Sequence, residues 1–239
     1  MKGGDSRFSD FELYNFSGLK GQTRVSRDGL EFISSLVTLV FSCPSRLFVD
    51  YFLSLLFEYP QIELGNLKLS PASVELEDKF RFEGDAKFIC ISPVVLTKPD
   101  LDDERNKRFV HPQNDSFSNM LHFSTLERMR ESKAYSEEKL KTFTEFDLEA
   151  DEAYINRMDT QNKKYARIYP VYYKDIRFEV RGYTLPFVLK AAPEVQQFIF
   201  TCGVGSLTHM GFGMLDVVNR TTASHFETYE SFREDNANW

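Results

Sequence analysis

The sequence is poor in several features that would point directly to a function. Cysteine is scarce: Cys43, Cys90 and Cys202 are widely spaced and odd in number, so neither a disulfide framework nor a zinc site is expected. No uninterrupted apolar run is long enough to span a bilayer, because the greasiest stretch, residues 30–57, is broken by Pro44, Arg46 and Asp50. Residues 1–10, MKGGDSRFSD, contain no apolar signal-peptide core, and the expectation is a cytoplasmic protein without membrane contact. The GxxxxGK[ST] loop of P-loop nucleotide binding is missing. Positive charge is in deficit, with a formal net charge of -7, the wrong sign for a protein whose whole surface neutralises phosphates. Histidine is rare too, with His111, His122, His209 and His225 and none before position 111. None has a partner at metal-ligand spacing, so neither a metal nor a small-molecule cofactor is expected.

What is present is core-forming material and one glycine cluster. Hydrophobic content of 42% with 23 Phe and 11 Tyr in 239 residues excludes global disorder and suits one large domain or two small ones. Residues 203–213 read GVGSLTHMGFG, with glycines at Gly203, Gly205, Gly211 and Gly213. Before them, Pro193 suits a first helical position, and Val195, Phe198, Ile199 and Cys202 fall on one helical face, which predicts a helix over 193–202 stopped by Gly203. Residues 212–218 read as a strand. The order helix, glycine loop, strand is the reverse of a dinucleotide fingerprint. Four glycines in eleven residues suit a close approach of another backbone, with amide groups free to meet phosphate oxygens; a helix stop plus a tight turn is the alternative.

Taken in order, residues 11–19 read as a strand, 32–43 as an apolar strand, and 46–58 as a well-buried helix capped by Ser45. Residues 62–69 and 74–77 read as a strand pair turning at Ser70-Pro71. Residues 80–96 begin a second half with a strand pair, a helix follows Asp115 or Ser116 to about Ser132, and 140–150 is a strand. Residues 151–162 read as a polar connector, 165–173 and 176–190 as strands, and the tail as unstructured. A ferredoxin-like unit runs strand, helix, strand, strand, helix, strand. The expectation is an α+β chain of tandem ferredoxin-like, RNA-recognition-motif-like units: residues 1–79 an incomplete unit lacking its opening strand and helix, 80–218 a complete one carrying the glycine-rich loop, and 219–239 a tail.

Four blocks in order, FELYNFSGL (11–19), CISPVVL (90–96), IRFEVRGYTLPFVLK (176–190) and GVGSLTHMGFGMLDV (203–217), resemble the CRISPR-associated protein 6 family of glycine-rich-loop RAMP proteins over most of residues 11–218. The resemblance implies an endoribonuclease that cuts CRISPR repeat RNA (pre-crRNA) without metal, leaves a 2′,3′-cyclic phosphate, and serves antiviral defence. It also places the usual catalytic histidine in the N-terminal unit, just upstream of the block matched by 11–19. No histidine lies there, so no catalytic residue is assigned. A shortened chain and a non-cleaving RNA-binding member, with other CRISPR effector subunits as partners, are both open explanations; an acidic interaction protein without nucleic acid is the reading of another class.

Net charge conceals where charges lie. Between 163 and 190 stand Lys163, Lys164, Arg167, Lys174, Arg177, Arg181 and Lys190 against Asp175 and Glu179. The expected RNA contacts are Gly203, Gly205, Ser206, His209, Gly211 and Gly213 of the loop, with Lys163, Lys164, Arg167, Arg177 and Arg181. A solvated strand face is the alternative for the cations, and a simple loop side chain for His209. Tyr165, Tyr169, Tyr172, Tyr173 and Tyr183 interleave with the cations, as stacking platforms or core tyrosines.

Overall fold

A computed structural model describes residues 8–27, 29–99, 107–173, 176–218 and 224–227. The chain forms two units, one of residues 1–44 and 82–218, the other of 45–81 and 219–239.

The first unit opens with β1 (Asn15–Phe16), β2 (Thr23–Ser26), β3 (Gly29–Phe32) and β4 (Phe41–Ser42). β1 pairs antiparallel with β4, and β2 with β3. Of the strand expected over 32–43, only Phe32, at the end of β3, and Phe41–Ser42, as β4, lie in named strands. In the second unit, α1 (Arg46–Glu58) begins where Ser45 caps it, the Ser45 hydroxyl accepting from the Phe48 amide at 3.3 Å. Burial differs from expectation: only Leu53 is buried in α1, while Leu47 is 70% exposed. The apolar pattern fixed the helix, but the short strands of its own unit do not cover its whole circumference. Strands β5 (Ile62–Leu64) and β6 (Leu67–Leu69) form a hairpin turning at Gly65 and Asn66, where Gly65 takes φ +59°, as a two-residue hairpin loop requires. Strand β7 (Val74–Glu77) then pairs with β16 (Ser224–Glu227). The segment expected to be a loose tail thus contributes a strand, because backbone pairing needs no apolar periodicity when the partner edge is open.

Back in the first unit, β8 (Ala86–Cys90) is followed by β9 (Thr97–Pro99) and β10 (Lys107–Phe109), a short pair within what reads as a charged loop. Helix α2 (Phe117–Glu131) and the single-turn α3 (Glu137–Leu140) lead to β11 (Phe146–Ala150), then α4 (Glu152–Thr160), β12 (Ala166–Tyr173), β13 (Ile176–Tyr183), β14 (Phe187–Ala191), α5 (Pro193–Cys202) and β15 (Leu215–Val217). Strands β11, β14, β8 and β15 lie side by side in that order, every pair antiparallel. Leaving out α3, α4 and the two inserted strand pairs, β8, α2, β11, β14, α5, β15 is the ferredoxin-like sequence with its strands in spatial order 2-3-1-4.

The core lies between this sheet and the two helices. Phe117, Leu121, Thr125 and Met129 recur every four residues on α2 and are buried, as are Val195, Phe198, Ile199 and Cys202 on α5. They meet the sheet face of Phe88, Phe146, Phe187, Leu189 and Leu215. The opposite face carries Lys87, Ile89, Asp147, Glu149, Val188, Lys190 and Asp216.

The connector expected over 151–162 is helix α4. Asp151 caps it, accepting from the Tyr154 amide at 2.9 Å, and Ile155 is buried against Tyr183 and Leu185. One apolar anchor and one cap suffice to order a polar stretch. That hydrogen bond holds the Asp151 carboxyl below its usual pKa, partial desolvation opposing it and Lys87 assisting. Asp151→Ala is expected to cost about 1 kcal/mol at neutral pH. Because the folded pKa is depressed, the cap's charge-dependent contribution is complete above the unfolded pKa of about 4 and lost as pH falls through the folded value. Thermal melts of both proteins from pH 7 to pH 3 should therefore converge in acid; a gap that stays constant or widens would contradict the assignment.

Candidate nucleic-acid interface

The glycine loop runs from the end of α5 to the start of β15, and its backbone is sewn into the protein at several points. The Val204 amide donates to the Gly213 carbonyl at 2.9 Å, that of Ser206 to the Val95 carbonyl at 2.7 Å, and that of Gly213 to the Pro93 carbonyl at 2.8 Å. The Met214 amide donates to the Ser92 hydroxyl at 2.8 Å. One wall of the loop is thus the Ser92–Leu96 segment. The other is β1: Asn15, wholly buried, donates from Nδ2 to the Phe212 carbonyl at 2.9 Å and accepts at Oδ1 from the Phe16 amide at 2.7 Å. Nearby, the Ser42 hydroxyl donates to the Thr201 carbonyl at 2.7 Å.

These contacts change the reason for the glycines. The sequence suggests backbone left bare for an RNA phosphate. In the structure Gly203, Gly205 and Gly213 are buried and Gly211 is half-buried. A Cβ on Gly203 would run into the Asn15 carboxamide, one on Gly205 into the Val95 carbonyl, and one on Gly213 into the Val204 carbonyl; on Gly211 it would stand 2.7 Å from Phe16 Cε2. All four also have φ between +72° and +86°, where a side chain is strained. The backbone that approaches them closely is the protein's own. Leu207 enters the left-handed region without being glycine, at φ +61°, and is held there by packing against the cluster around Val95 and Phe212.

What remains open is a cleft of about 350 Å³ between the N-terminal segment Asp10–Leu13, one flank of α2, and loop residues Gly205–His209. The amides of Leu207, Thr208 and His209 find no acceptor among the described residues. Charges of both signs line the cleft, Asp10, Glu12 and Glu131 against Arg128, with His209 among them. Arg128 reaches from α2 to the loop, donating to the carbonyls of Cys202 and Gly203 at 2.5 and 2.8 Å and to the Thr208 hydroxyl at 2.8 Å. His209 Nδ1 lies 3.4 Å from Glu12 Oε2. Burial pushes the His209 pKa down, Glu12 opposes and Arg128 adds to the fall, so the ring is a neutral hydrogen-bonding group at pH 7.

The expected cations do not form one surface with the loop. Strands β12 and β13 make a long hairpin whose inner face, with Tyr169, Val171, Phe178 and Val180, packs on Val95 and Phe212 beside Leu207 and Met210. The Tyr169 and Phe212 rings meet edge to face at 5.8 Å. The outer face carries Arg177 opposite Tyr172 and Arg181 opposite Ile168. Tyr172 is 70% exposed and Ile168 is 56% exposed, and Arg177 is paired with Glu179 at 3.3 Å. Arg167 stands opposite Gly182, on the other parity, and exposed Lys163 and Lys164 lie just after α4. The loop and the Arg177–Arg181 face therefore sit on opposite sides of the hairpin, because the apolar alternation that holds the hairpin down is the one that turns the arginines away. Lys174 lies outside the described residues.

Of the tyrosines, Tyr183 is core and Tyr165 is bonded to His111 Nε2 at 3.2 Å. His122 Nε2 donates to the Phe143 carbonyl at 2.8 Å and its ring stacks on Phe146, so both histidines have structural partners. Among the described residues no group of three or more His, Cys, Asp or Glu is placed to hold a metal, and no helix is long and apolar enough to cross a membrane.

Residues 75–217, which contain all of β7 but Val74, the ferredoxin-like sheet and the whole loop, match the sequence model of CRISPR associated protein Cas6, C-terminal. The chain belongs to the Cas6 family. Solved structures agree on the fold. A Cas6-related gene product from Pyrococcus furiosus superposes with a TM-score of 0.70 at 18% identity, covering 88% of this chain and 80% of that one. A CRISPR associated protein Cas6 gives 0.65 at 20% identity, covering 89% and 81%, and a RAMP protein binding different RNA substrates gives 0.68 at 17%, covering 87% and 80%. A search of curated proteins finds no match.

Asn15 and Arg128, the residues that shape this Cas6-family loop, escaped the sequence reading. An asparagine between Tyr14 and Phe16 in an apolar strand was a usable signal for Asn15; Arg128 had none, since an arginine on a helix reads as solvated. Gly213→Ala is expected to destabilise by at least about 2 kcal/mol, through strain and overlap together. Gly18→Ala, where nothing lies within 4 Å and φ is not positive, should shift stability by less than about 0.5 kcal/mol. Denaturant melts decide, and equal effects would refute the packing explanation. In NMR titrations the His209 pKa should lie below its ordinary value and fall further in Glu12→Gln; a rise would contradict the pairing.

Proposed function

We propose that this chain binds CRISPR repeat RNA and processes pre-crRNA by metal-independent endonucleolytic cleavage within repeats, leaving a 2′,3′-cyclic phosphate. The observation that carries the reading is the Cas6 match across residues 75–217, with support from a RAMP protein of the same fold that binds different RNA substrates. In this reading the bases and phosphates of single-stranded RNA engage loop residues Ser206 and His209 from the cleft. The outward amides of Leu207, Thr208 and His209 offer anion contacts. Lys163, Lys164, Arg167, Arg177 and Arg181 supply the counter-charge along the hairpin, and Tyr172 a stacking face.

The conserved chemistry of such cleavage needs a base at the 2′-hydroxyl, a cation or donor for the phosphorane, and an acid for the 5′-oxygen. His209 is the one histidine that lines the cleft, and the N-terminal strands hold none. A second reading is repeat-RNA binding without cleavage, within a larger CRISPR effector assembly.

Incubation of the chain with repeat RNA in EDTA separates the two. A discrete product ending in cyclic phosphate is expected from the first reading, and intact RNA in a retarded complex from the second; absence of any complex at low salt would overturn both. Glycine substitutions are unsuited to this test because they break the fold. Arg177→Ala combined with Arg181→Ala leaves the core untouched and is expected to weaken binding about tenfold or more and to lower the salt slope by about two. Unchanged affinity in salt-controlled anisotropy would remove the hairpin from the interface.

A further inference from the structure

We infer that Arg128 is a positioning residue that sets the RNA-facing shape of the glycine loop, acting through backbone carbonyls and Thr208 and making no phosphate contact of its own. The inference rests on the RNA reading above for its binding arm only.

A helix leaves its last carbonyls without intrahelical donors and concentrates partial negative charge there. Helix α5 has no basic residue in its last turn, and Gly203 ends it with φ +79° and ψ 166°, which directs the chain away at once. The missing cation comes from another helix. Arg128 of α2 donates from Nη1 to the Gly203 carbonyl and from Nη2 to the Cys202 carbonyl. Its guanidinium also lies 5.6 Å from the centre of the Phe198 ring, on the face of α5 that packs towards α2.

The same Nη2 reaches the Thr208 hydroxyl at 2.8 Å. That third bond makes the residue a clamp, because Cys202 and Gly203 start the loop and Thr208 begins the 3₁₀ turn Thr208–Met210 that closes its first half. Between the two anchors stand Val204, Gly205, Ser206 and Leu207, the last three of which form the loop's side of the cleft with Thr208 and His209. Fixing both ends of so short a segment fixes where its amides and the His209 ring point. Only a planar fork can reach three acceptors from two parts of the chain in one rotamer; a lysine ammonium cannot reproduce that arrangement.

The surrounding charges favour positioning over phosphate capture. Glu131 and Glu12 act to keep Arg128 charged against the burial that lowers its pKa. Two carboxylates therefore face the cation from α2 itself and from the N-terminal segment, where a phosphate would have to compete with them.

The test uses the full chain with Arg128→Lys, Thr208→Val and, as control, Arg130→Lys on the solvent face of α2. Two readouts are taken: anisotropy of labelled repeat RNA over a series of salt concentrations, and amide hydrogen exchange. Positioning predicts that Arg128→Lys weakens RNA binding about tenfold or more with an unchanged salt slope, and Thr208→Val does so to a smaller degree. The amides of Val204, Ser206 and Met210 should exchange faster in both variants while those of β8 and β14 do not. A slope lowered by about one in a further variant, Arg128→Gln, which removes the charge that Arg128→Lys keeps, would identify a direct phosphate contact instead and overturn the inference. So would undisturbed loop exchange, unchanged RNA affinity, or exchange accelerated throughout the sheet. Should the wild-type chain show no affinity for repeat RNA, the functional reading fails, and exchange at the three loop amides alone decides whether Arg128 is the clamp.

Discussion

The arrangement of the first unit depends on one buried carboxamide pressed against a glycine. Asn15 has no exposure, and both ends of its amide are used, one on the Phe212 carbonyl and the other on the Phe16 amide. An unsatisfied buried amide would cost about 1–3 kcal/mol, so the position tolerates neither a hydrophobic isostere that orphans the carbonyl nor any side chain on Gly203 that displaces the carboxamide. From this contact the rest follows in sequence. Phe16 lies over Gly211, and Ser42 on the paired strand β4 meets the last turn of α5. The loop between α5 and β15 is closed against β1 on one side and the Ser92–Leu96 segment on the other. The four-stranded sheet could form without β1, but the loop would then lose a wall.

A second constraint concerns which surface is left for a nucleic acid. RNA-recognition sheets stack unpaired bases on aromatic side chains of their open face. The open face here carries Lys87, Ile89, Asp147, Glu149, Val188, Lys190 and Asp216, with Lys87 paired to Asp151 and Lys190 to Glu145. None of these is an aromatic platform, and the charges of both signs largely cancel. In the function proposed above, the ferredoxin-like topology is a scaffold and recognition would fall to the loop after α5 and the hairpin inserted between β11 and β14.

Local signals were readable where one short-range rule decides the outcome. Helix α5 runs over the predicted residues because Pro193 opens it, its apolar face is continuous, and Gly203 ends it. Helix α1 has its predicted bounds for the same reason, through Ser45. The order of the complete ferredoxin-like unit was also apparent, since each of its strands and helices has its own period. What failed were properties set by partners distant in sequence. The extent of β1 and β4 is limited by a single pairing, the pairing of β7 with β16 links residues 147 or more positions apart, and α4 depends on Ile155 reaching Tyr183 and Leu185. The glycine motif shows the limit most clearly: its position and boundaries were read correctly, while the atoms lying against each glycine were not legible, because a glycine required by Asn15 and a glycine required by a phosphate look identical in sequence.

The acidity of the chain bears on how any RNA contact must work. Exposed charges farther apart than a Debye length, about 8 Å at physiological ionic strength, are largely screened from one another. The carboxylates that make the net charge -7 therefore do not cancel Arg181 or Lys163 at contact distance, although they weaken long-range steering of an anion. Within the cleft the balance differs, because Asp10, Glu12 and Glu131 stand beside Arg128 and His209 at distances where screening is incomplete. A phosphate entering there would meet loop amides that have no acceptor among the described residues and would also face three carboxylates, so the contact is weaker than the amides alone suggest. In the function proposed above this would divide the labour physically: cations on the hairpin and after α4 would attract the strand, and the neutral groups of the loop, His209 among them, would select what lies against them.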